Sequence, residues 1–182
     1  MDLITALAIS IGVLGGIAAF VSLSPIGLGL QIWAAFIAWA TFYHCGGKEA
    51  GLTKTITHTV FGAIMAYIAL LLVTQIPLGA ALGVPLWAGI CVLITVFILV
   101  YAAKQPMLSD IPASVLGYAA VAAMALAGNK LGALTAGSME NPFIVIVLSL
   151  IAGAVLGYIS EKIAGALVKK EALPAGAPKA TR

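Results

Sequence analysis

The run LITALAISIGVLGGIAAFVSLS, residues Leu3–Ser24, contains 22 consecutive residues without a charged side chain. A helix rises about 1.5 Å per residue, so a run of this length covers the ~30 Å of hydrocarbon in a bilayer. These runs lack the alternating pattern of a membrane β-barrel. The sequence therefore predicts an all-α integral membrane protein with six transmembrane helices, because five further apolar runs follow at Ile26–Tyr43, Ile56–Ile76, Val84–Ala103, Ile111–Ala127 and Pro142–Ile159.

The composition of the whole chain agrees with this prediction. Hydrophobic residues make up 63% of the 182 residues and charged residues only 8%, which is far from the composition of a soluble domain. Asp2 is the only charged side chain before the first run, so this run lacks the basic segment of a cleaved signal peptide and is interpreted as a retained span. We expect one transmembrane domain over residues 1–167 and a disordered cytoplasmic tail over 168–182, which is rich in small residues and proline.

Basic residues are distributed unequally between the two sides of the six-span map. Lys130 lies alone on one side, and the other eight basic residues share the opposite side: Lys48, Lys54, Lys104, Lys162, Lys169, Lys170, Lys179 and Arg182. Short loops rich in lysine and arginine stay in the cytoplasm, so both termini are expected there. The net charge of +3 is explained by anionic lipid at the bilayer surface, and no nucleic-acid partner is expected.

Two segments of the chain resemble each other. Leu28–Phe36 aligns with Leu82–Ile90 at an offset of 54 residues, and Gly62 corresponds to Gly117 at an offset of 55. The pattern indicates a possible repeat of helical hairpins, spans 2–3 and 4–5, whose interface would suit a solute site. Chance similarity between apolar helices is the alternative.

Small residues predict where helices pack closely, because they let backbones approach one another in lipid. Gly12–Gly16 in span 1 and Gly153–Gly157 in span 6 have the required spacing, and span 5 is rich in alanine and glycine. The contacts could form within one protomer or between protomers. We expect a homo-oligomer, either a dimer or a trimer.

The residues inside the predicted spans argue against several function classes. No charged residue lies near the middle of a span, so no buried proton relay is expected. No catalytic constellation and no metal-ligand spacing is evident, and Cys45 and Cys91 are interpreted as buried structural thiols. We therefore predict no enzymatic activity and no cofactor, and passive conduction remains the best-supported class.

The most polar helix entrance is Lys54–Thr59, where span 3 leaves the cytoplasm. A helix N-terminus with hydroxyl and cationic side chains favours binding of an anion or a carbonyl oxygen. If the repeat is real, this entrance lies opposite the start of span 5, and Tyr67 and Tyr118 could narrow a path deeper in the membrane. The predicted substrate-binding residues are Lys54, Thr55, His58, Thr59, Ser109, Ser114, Tyr67 and Tyr118. The alternative is that Lys54 extends to lipid headgroups while the threonines bond to their own helix.

Two helix starts have ordinary structural explanations. Ser109 or Asp110 is expected to cap span 5 with Pro112 in its first turn, and Asn141 is expected to cap span 6 before Pro142.

The repeat, the glycine-rich spans, the polar entrance and the lack of charge inside the spans together predict a channel or facilitator for a small polar solute, such as urea, a short amide, ammonia or a small carboxylate. The alternatives are a coupled secondary transporter and a non-conducting membrane scaffold or accessory subunit.

An ordered set of short motifs carries a family resemblance. The set comprises Trp33–Phe36, Phe42, Cys45–Gly47, Gly51–Leu52, Lys104–Gln105, Leu108–Ser109, Ile111–Pro112, Gly117, Leu148–Leu150, Gly153 and Gly157–Tyr158. Over about residues 5–165 the chain resembles the bacterial inner-membrane family catalogued as domain of unknown function 1097. The resemblance implies a compact multi-pass protein of the bacterial inner membrane, and it supplies no substrate. The chain departs from that pattern in a longer loop at Asn129–Asn141 and an extended tail.

Overall fold

The computed structural model describes residues 1–27 and 29–168, and the described part is helical without a β-strand. Its α-helices are α1 (Leu3–Leu23), α2 (Ile32–His44), α3 (Lys48–Gln75), the single turn α4 (Gly79–Leu82), α5 (Val84–Tyr101), α6 (Ile111–Leu126) and α7 (Pro142–Leu167). The all-α prediction is therefore confirmed. Residues 169–182, which make up nearly all of the predicted disordered tail, lie outside the described residues.

Among the described residues, four helices are long and apolar enough to cross a membrane by length and composition. They are α1, α3, α7 and α5 together with the helical turn that extends it to Lys104. The 16 residues of α6 and the 13 of α2 would reach only about 24 Å and 20 Å as single helices. A membrane-embedded protein is thus supported, whereas six full-length spans are not confirmed.

The second predicted span is shorter as a helix because the chain breaks before it. Gly29 has a φ of +75°, and Gln31 is extended at the N-cap of α2. The Gln31 amide then donates to Ser149 Oγ of α7 over 2.8 Å. Hydropathy predicted that span 2 starts at Ile26. In the structure, the hydrogen bond from Gln31 to the Ser149 side chain fixes the start of α2 beside Ser149 of α7.

The third predicted span is longer than expected at its start. α3 begins at Lys48 rather than near Ile56, because the N-terminus of the helix is satisfied by α7. The Lys48 amide donates to Glu161 Oε2 over 2.7 Å, and Lys162 and Tyr158 of α7 bond the Glu49 carboxylate at 3.0 and 2.8 Å. The polar start of α3 is therefore anchored on the last turns of α7.

The core is formed where α3 packs against α6 and α7, with α2 against α7. Its buried apolar residues are mostly small: Ala34, Ala38, Ala63, Ala66, Leu70, Ala120, Val121, Ala125, Leu134, Val145, Ile146, Leu150 and Ala154. α1 lies at the edge of the bundle, and only Ala6, Ser10 and Gly15 are buried in it.

The glycine pairs of α1 and α7 differ in how closely another helix approaches them. A Cβ on Gly153 would overlap the Ala35 carbonyl oxygen, and one on Gly157 would lie 2.8 Å from the Phe42 ring. The predicted close contact of the Gly153–Gly157 face is therefore confirmed, with α2 as its partner. Gly12 and Gly16 have open space around them within the described residues, so they make no such contact inside the chain.

Candidate functional site

The helices that carry the predicted site cross at two glycines. A Cβ on Gly62 of α3 would overlap the Ser114 carbonyl oxygen of α6, and one on Gly117 of α6 would overlap the Thr59 carbonyl oxygen of α3. Each glycine thus admits the backbone of the other helix. The two residues that the repeat predicted as equivalents meet at one crossing, and α3 and α6 are in direct backbone contact there. The hairpin repeat itself stays a prediction.

The hydroxyl groups at this crossing are bonded within their own helices. Thr59 Oγ1 donates to the Thr55 carbonyl oxygen over 2.7 Å, and Ser114 Oγ donates to the Asp110 carbonyl oxygen over 3.2 Å. Both side chains are buried. The bond back to the helix, which was the structural alternative for the threonines, accounts for Thr59.

His58 and Thr55 differ from these residues because each keeps an unpaired polar atom. His58 Nδ1 lies 2.7 Å from the Lys54 carbonyl oxygen. A carbonyl only accepts, so Nδ1 carries the proton and a neutral ring leaves Nε2 with a free lone pair. His58 Nε2 and Thr55 Oγ1 are buried without a hydrogen-bond partner among the described residues. Such atoms are uncommon in folded proteins and each costs about 1–3 kcal/mol.

Asp110 and Cys45 lie beside this pair, although sequence reasoning gave them only structural roles. Asp110 caps α6 as predicted, accepting from the Ala113 amide at 3.2 Å. Its other oxygen is 3.5 Å from the Cys45 thiol, and His44 Nε2 lies 3.7 Å from the carboxylate. Thr55 is adjacent to the same thiol. Four residues, Cys45, Thr55, His58 and Asp110, form what we name the α3–α6 entrance cluster.

The charge states of the cluster follow from its contacts. Burial opposes ionisation of Asp110, but the Ala113 amide, the Cys45 thiol and the nearby His44 and His58 outweigh it and lower the pKa of this carboxyl below its usual value. Burial raises the pKa of the Cys45 thiol. Near neutral pH the carboxylate is therefore ionised and the thiol keeps its proton as a donor.

A cavity of about 370 Å³ opens next to His58. It is lined by Ala50, Thr53, Lys54, Thr57, His58, Pro106 and Met107. Lys54 and His58 therefore share the predicted entrance. Ser109 is exposed, and its hydroxyl donates to the Pro106 carbonyl oxygen over 3.0 Å within its own turn. Pro106 and Met107, which had no predicted role, supply the wall opposite α3.

The two predicted tyrosines lie apart from the entrance cluster. The Tyr67 hydroxyl donates to the Leu134 carbonyl oxygen over 2.8 Å, and its ring stacks on Phe143 with centroids 4.7 Å apart. The Tyr118 hydroxyl lies 3.1 Å from Thr95 Oγ1 of α5. Each phenol thus has a partner that explains its depth in the bundle.

The loop after α6 folds back into the bundle at the end opposite the entrance cluster. Leu134 is fully buried, and its carbonyl accepts from Tyr67 and from Asn141 Nδ2. Asn141 also caps α7 through the Phe143 amide, as predicted for Asn141–Pro142. This long loop therefore closes the bundle between α3 and α7.

The turn between α2 and α3 delivers Cys45 to the entrance cluster. Gly46 and Gly47 have φ values of +92° and +68°, which glycine adopts without strain. A Cβ on Gly47 would overlap the Glu161 carboxylate, so glycine is also needed for the close approach to α7. The Cys45–Gly47 motif is thereby explained as a tight turn against the end of α7.

Among the described residues, no group of three or more His, Cys, Asp and Glu side chains is placed to hold a metal ion.

A family model described as "Protein of unknown function (DUF1097)" matches residues 8–165. The chain belongs to this family. The match includes the whole entrance cluster, whereas the DUF1097 description assigns no activity. No curated protein and no solved structure matches the chain.

Proposed function

We propose that this DUF1097 protein is a membrane facilitator for a small polar solute such as urea, a short amide, ammonia or a small carboxylate. The observation that carries the proposal is the pair of buried, unpartnered atoms, His58 Nε2 and Thr55 Oγ1, which belong to neighbouring positions on α3, together with the open cavity that His58 lines. A protein that only packs helices gains nothing from leaving such atoms unpaired. A polar solute would supply the missing partners.

The path is proposed to be closed in this conformation. The backbone contact at Gly62 and Gly117 lies beyond the entrance cluster, and the Leu134 loop covers the other end. We infer that conduction requires α3 and α6 to separate at the glycine crossing. A path between protomers is the alternative route.

The remaining assignments concern placement in the membrane. We propose six spans, in which α2 and α6 cross with the help of their flanking turns, in the inner membrane of a bacterium with both termini cytoplasmic. We further propose a homo-oligomer, dimer or trimer, in which the open Gly12–Gly16 face of α1 contacts a second copy. No catalytic role is proposed, because in the described residues neither histidine bonds a serine or cysteine side chain.

A coupled secondary transporter is the second candidate. One observation favours it: the three titratable groups His44, Asp110 and His58 lie close to one another, and His58 lines a cavity at the surface of the bundle. Such groups could link solute movement to a proton gradient. A scaffold without conduction would leave the unpaired atoms unexplained.

Flux measured in proteoliposomes separates these functions. We expect urea, acetamide or ammonia to equilibrate faster with the protein than without it, at a rate independent of an imposed proton gradient. Accumulation against a solute gradient would identify the coupled transporter. No flux for any of these solutes would contradict the facilitator and favour the scaffold.

A further inference from the structure

We propose that the entrance cluster binds a small uncharged molecule through its N–H groups, as ammonia or a primary amide would present them. This inference rests on the proposed function and narrows its solute class. It assigns a direct ligand contact to His58 Nε2, a second one to Thr55 Oγ1, and an electrostatic role to Asp110.

The chemistry of the free atoms sets the class of ligand. Nδ1 of His58 is committed to the Lys54 carbonyl, so Nε2 of the neutral ring accepts a hydrogen bond and cannot donate one. The Thr55 hydroxyl can accept as well as donate. A ligand that bonds to Nε2 must therefore bring its own proton, which N–H groups do.

The negative charge of Asp110 also favours an uncharged N–H compound over an anionic solute. Its carboxylate carries two hydrogen bonds, from the Ala113 amide and the Cys45 thiol, and carboxylate oxygens have further lone pairs to offer. A carboxylate solute would meet this charge at a side chain that is only 12% exposed, where water screens the repulsion less than in bulk. The ammonium group of Lys54, which acts on the Cys45 thiol, belongs to an exposed residue, so water screens it more strongly than it screens Asp110.

Burial explains why the ligand should be small. His58 is 1% and Thr55 0% exposed, so a ligand reaches both atoms only when the surrounding side chains move, and a small molecule requires the least movement. The adjoining cavity of about 370 Å³ admits a molecule of a few heavy atoms. Met107 lines the same cavity and is 76% exposed, so its side chain can adjust as a ligand enters.

Nitrogen NMR tests the contact directly on the full chain in lipid nanodiscs. The protein carries only two histidines, so ¹⁵N-histidine labelling gives few signals, and His44→Asn assigns them. We expect the His58 Nε2 resonance to move on titration with acetamide or ammonia at a pH where the ring is neutral. Acetate, matched in size to acetamide, should leave it unchanged. A comparison of acetamide with ammonia identifies which N–H compound binds.

Thr55→Val provides the matched variant, because valine keeps the shape and removes the unpaired hydroxyl. Loss of one ligand hydrogen bond should raise the apparent Kd for acetamide about tenfold. The melting temperature should change little, since the contact of this hydroxyl within the protein is a weak one, with the Cys45 thiol. Thr74→Val, at the far end of α3 where the hydroxyl bonds Leu70, should leave binding unchanged.

The inference is overturned if no N–H compound moves the His58 signal, or if acetate moves it as far as acetamide. Unchanged affinity in a folded Thr55→Val protein would remove Thr55 from the site. Binding at His58 without liposome flux would retain the site and reject the facilitator. Flux without any response at His58 would retain the facilitator and reject this site.

Discussion

At the scale of single residues, the glycines at the helix crossings are as important for packing as the larger side chains are. Burying apolar surface gives helices little reason to associate in lipid, so close van der Waals packing must supply the attraction. Gly62 and Gly117 provide it between α3 and α6, and Gly153 provides it between α2 and α7. Threonine and serine hydroxyls bonded to their own helices add little volume at these crossings.

Gly62→Ala is expected to destabilise the protein. The new methyl group would overlap the Ser114 carbonyl oxygen, and backbone cannot move aside as a flexible side chain can, so the cost should be about 1–3 kcal/mol. Gly12→Ala is the control, because Gly12 has open space and alanine is the better helix former. Thermal melts in the same detergent compare the two. Equal melting temperatures would mean that α3 and α6 do not touch at Gly62.

Protonation of Asp110 at low pH should lower the stability of the folded protein. Its pKa is lowered in the folded protein, so its contribution is fully present above the ordinary aspartate range and is lost as the pH falls through the folded pKa. The groups around it are the Cys45 thiol, His44, His58 and the Ala113 amide. Melting temperatures between pH 3 and 7 should fall on acidification more steeply in the wild type than in Asp110→Asn. Parallel curves would contradict the capping contacts.

Sequence reasoning found part of the entrance cluster, and the reason is physical. His58 and Lys54 are four residues apart on one helix, so helical spacing alone predicts that they share a face. Cys45 and Asp110 are 65 positions apart, and only the glycine turn and the crossing bring them together. Hydrophobic pattern contains no signal for such a contact. It also could not tell Thr55, which is unpaired, from Thr59, which is bonded.

At the scale of elements, the helix ends are decided by contacts between helices. The N-terminus of α3 is capped from a distant helix, by Glu161 of α7 on the Lys48 amide. The N-terminus of α2 is capped by Ser149. Hydropathy windows average over such points, so they predicted the existence of the helices and missed where α2 and α3 begin. Local caps at Asp110 and Asn141 were predicted because their signals are adjacent in sequence.

Glu161→Gln should weaken the attachment of α3 to α7. The neutral amide can still accept from the Lys48 amide, but it loses the charge that favours a helix N-terminus, so about 0.5–1 kcal/mol is expected. Glu140→Gln, in the loop before α7 and exposed, is the matched control. Chemical denaturation in detergent measures both. A cost as large in the control would assign the effect to net charge instead of the cap.

Gly157→Leu should disturb the contact between α7 and α2 more severely. A Cβ at this position already lies 2.8–2.9 Å from the Phe42 ring, and a leucine side chain needs several ångströms more. We expect a lower melting temperature or a changed elution volume on size-exclusion chromatography. Gly165→Leu, on the same helix with open space around it, should change neither. An unaffected Gly157→Leu protein would contradict the packing of α7 on α2.

At the scale of the whole molecule, four of the five lysines among the described residues gather at one end of the bundle. Lys162 bonds Glu49 at the start of α3, and Lys54 lines a cavity with Pro106 and Met107, which follow Lys104 closely in the chain. Lys130 belongs to the loop that folds back at Leu134, by the other end of α3. The unequal distribution of basic residues that the sequence predicted for the two sides of a membrane is thus also seen between the two ends of the helical bundle.

Cysteine labelling determines which end faces the cytoplasm. Lys130→Cys and Lys179→Cys are introduced separately into a protein in which Cys45 and Cys91 are replaced by alanine. Because basic loops are retained in the cytoplasm, an impermeant maleimide should label position 130 in intact cells and position 179 only after permeabilisation. Lys104→Cys is the control for the second pattern, since it lies at the basic end by an independent loop. Labelling of positions 104 and 130 from the same side would reject the single span, α6, that the six-span proposal places between them, whereas the reverse pattern would leave the spans intact and invert the protein.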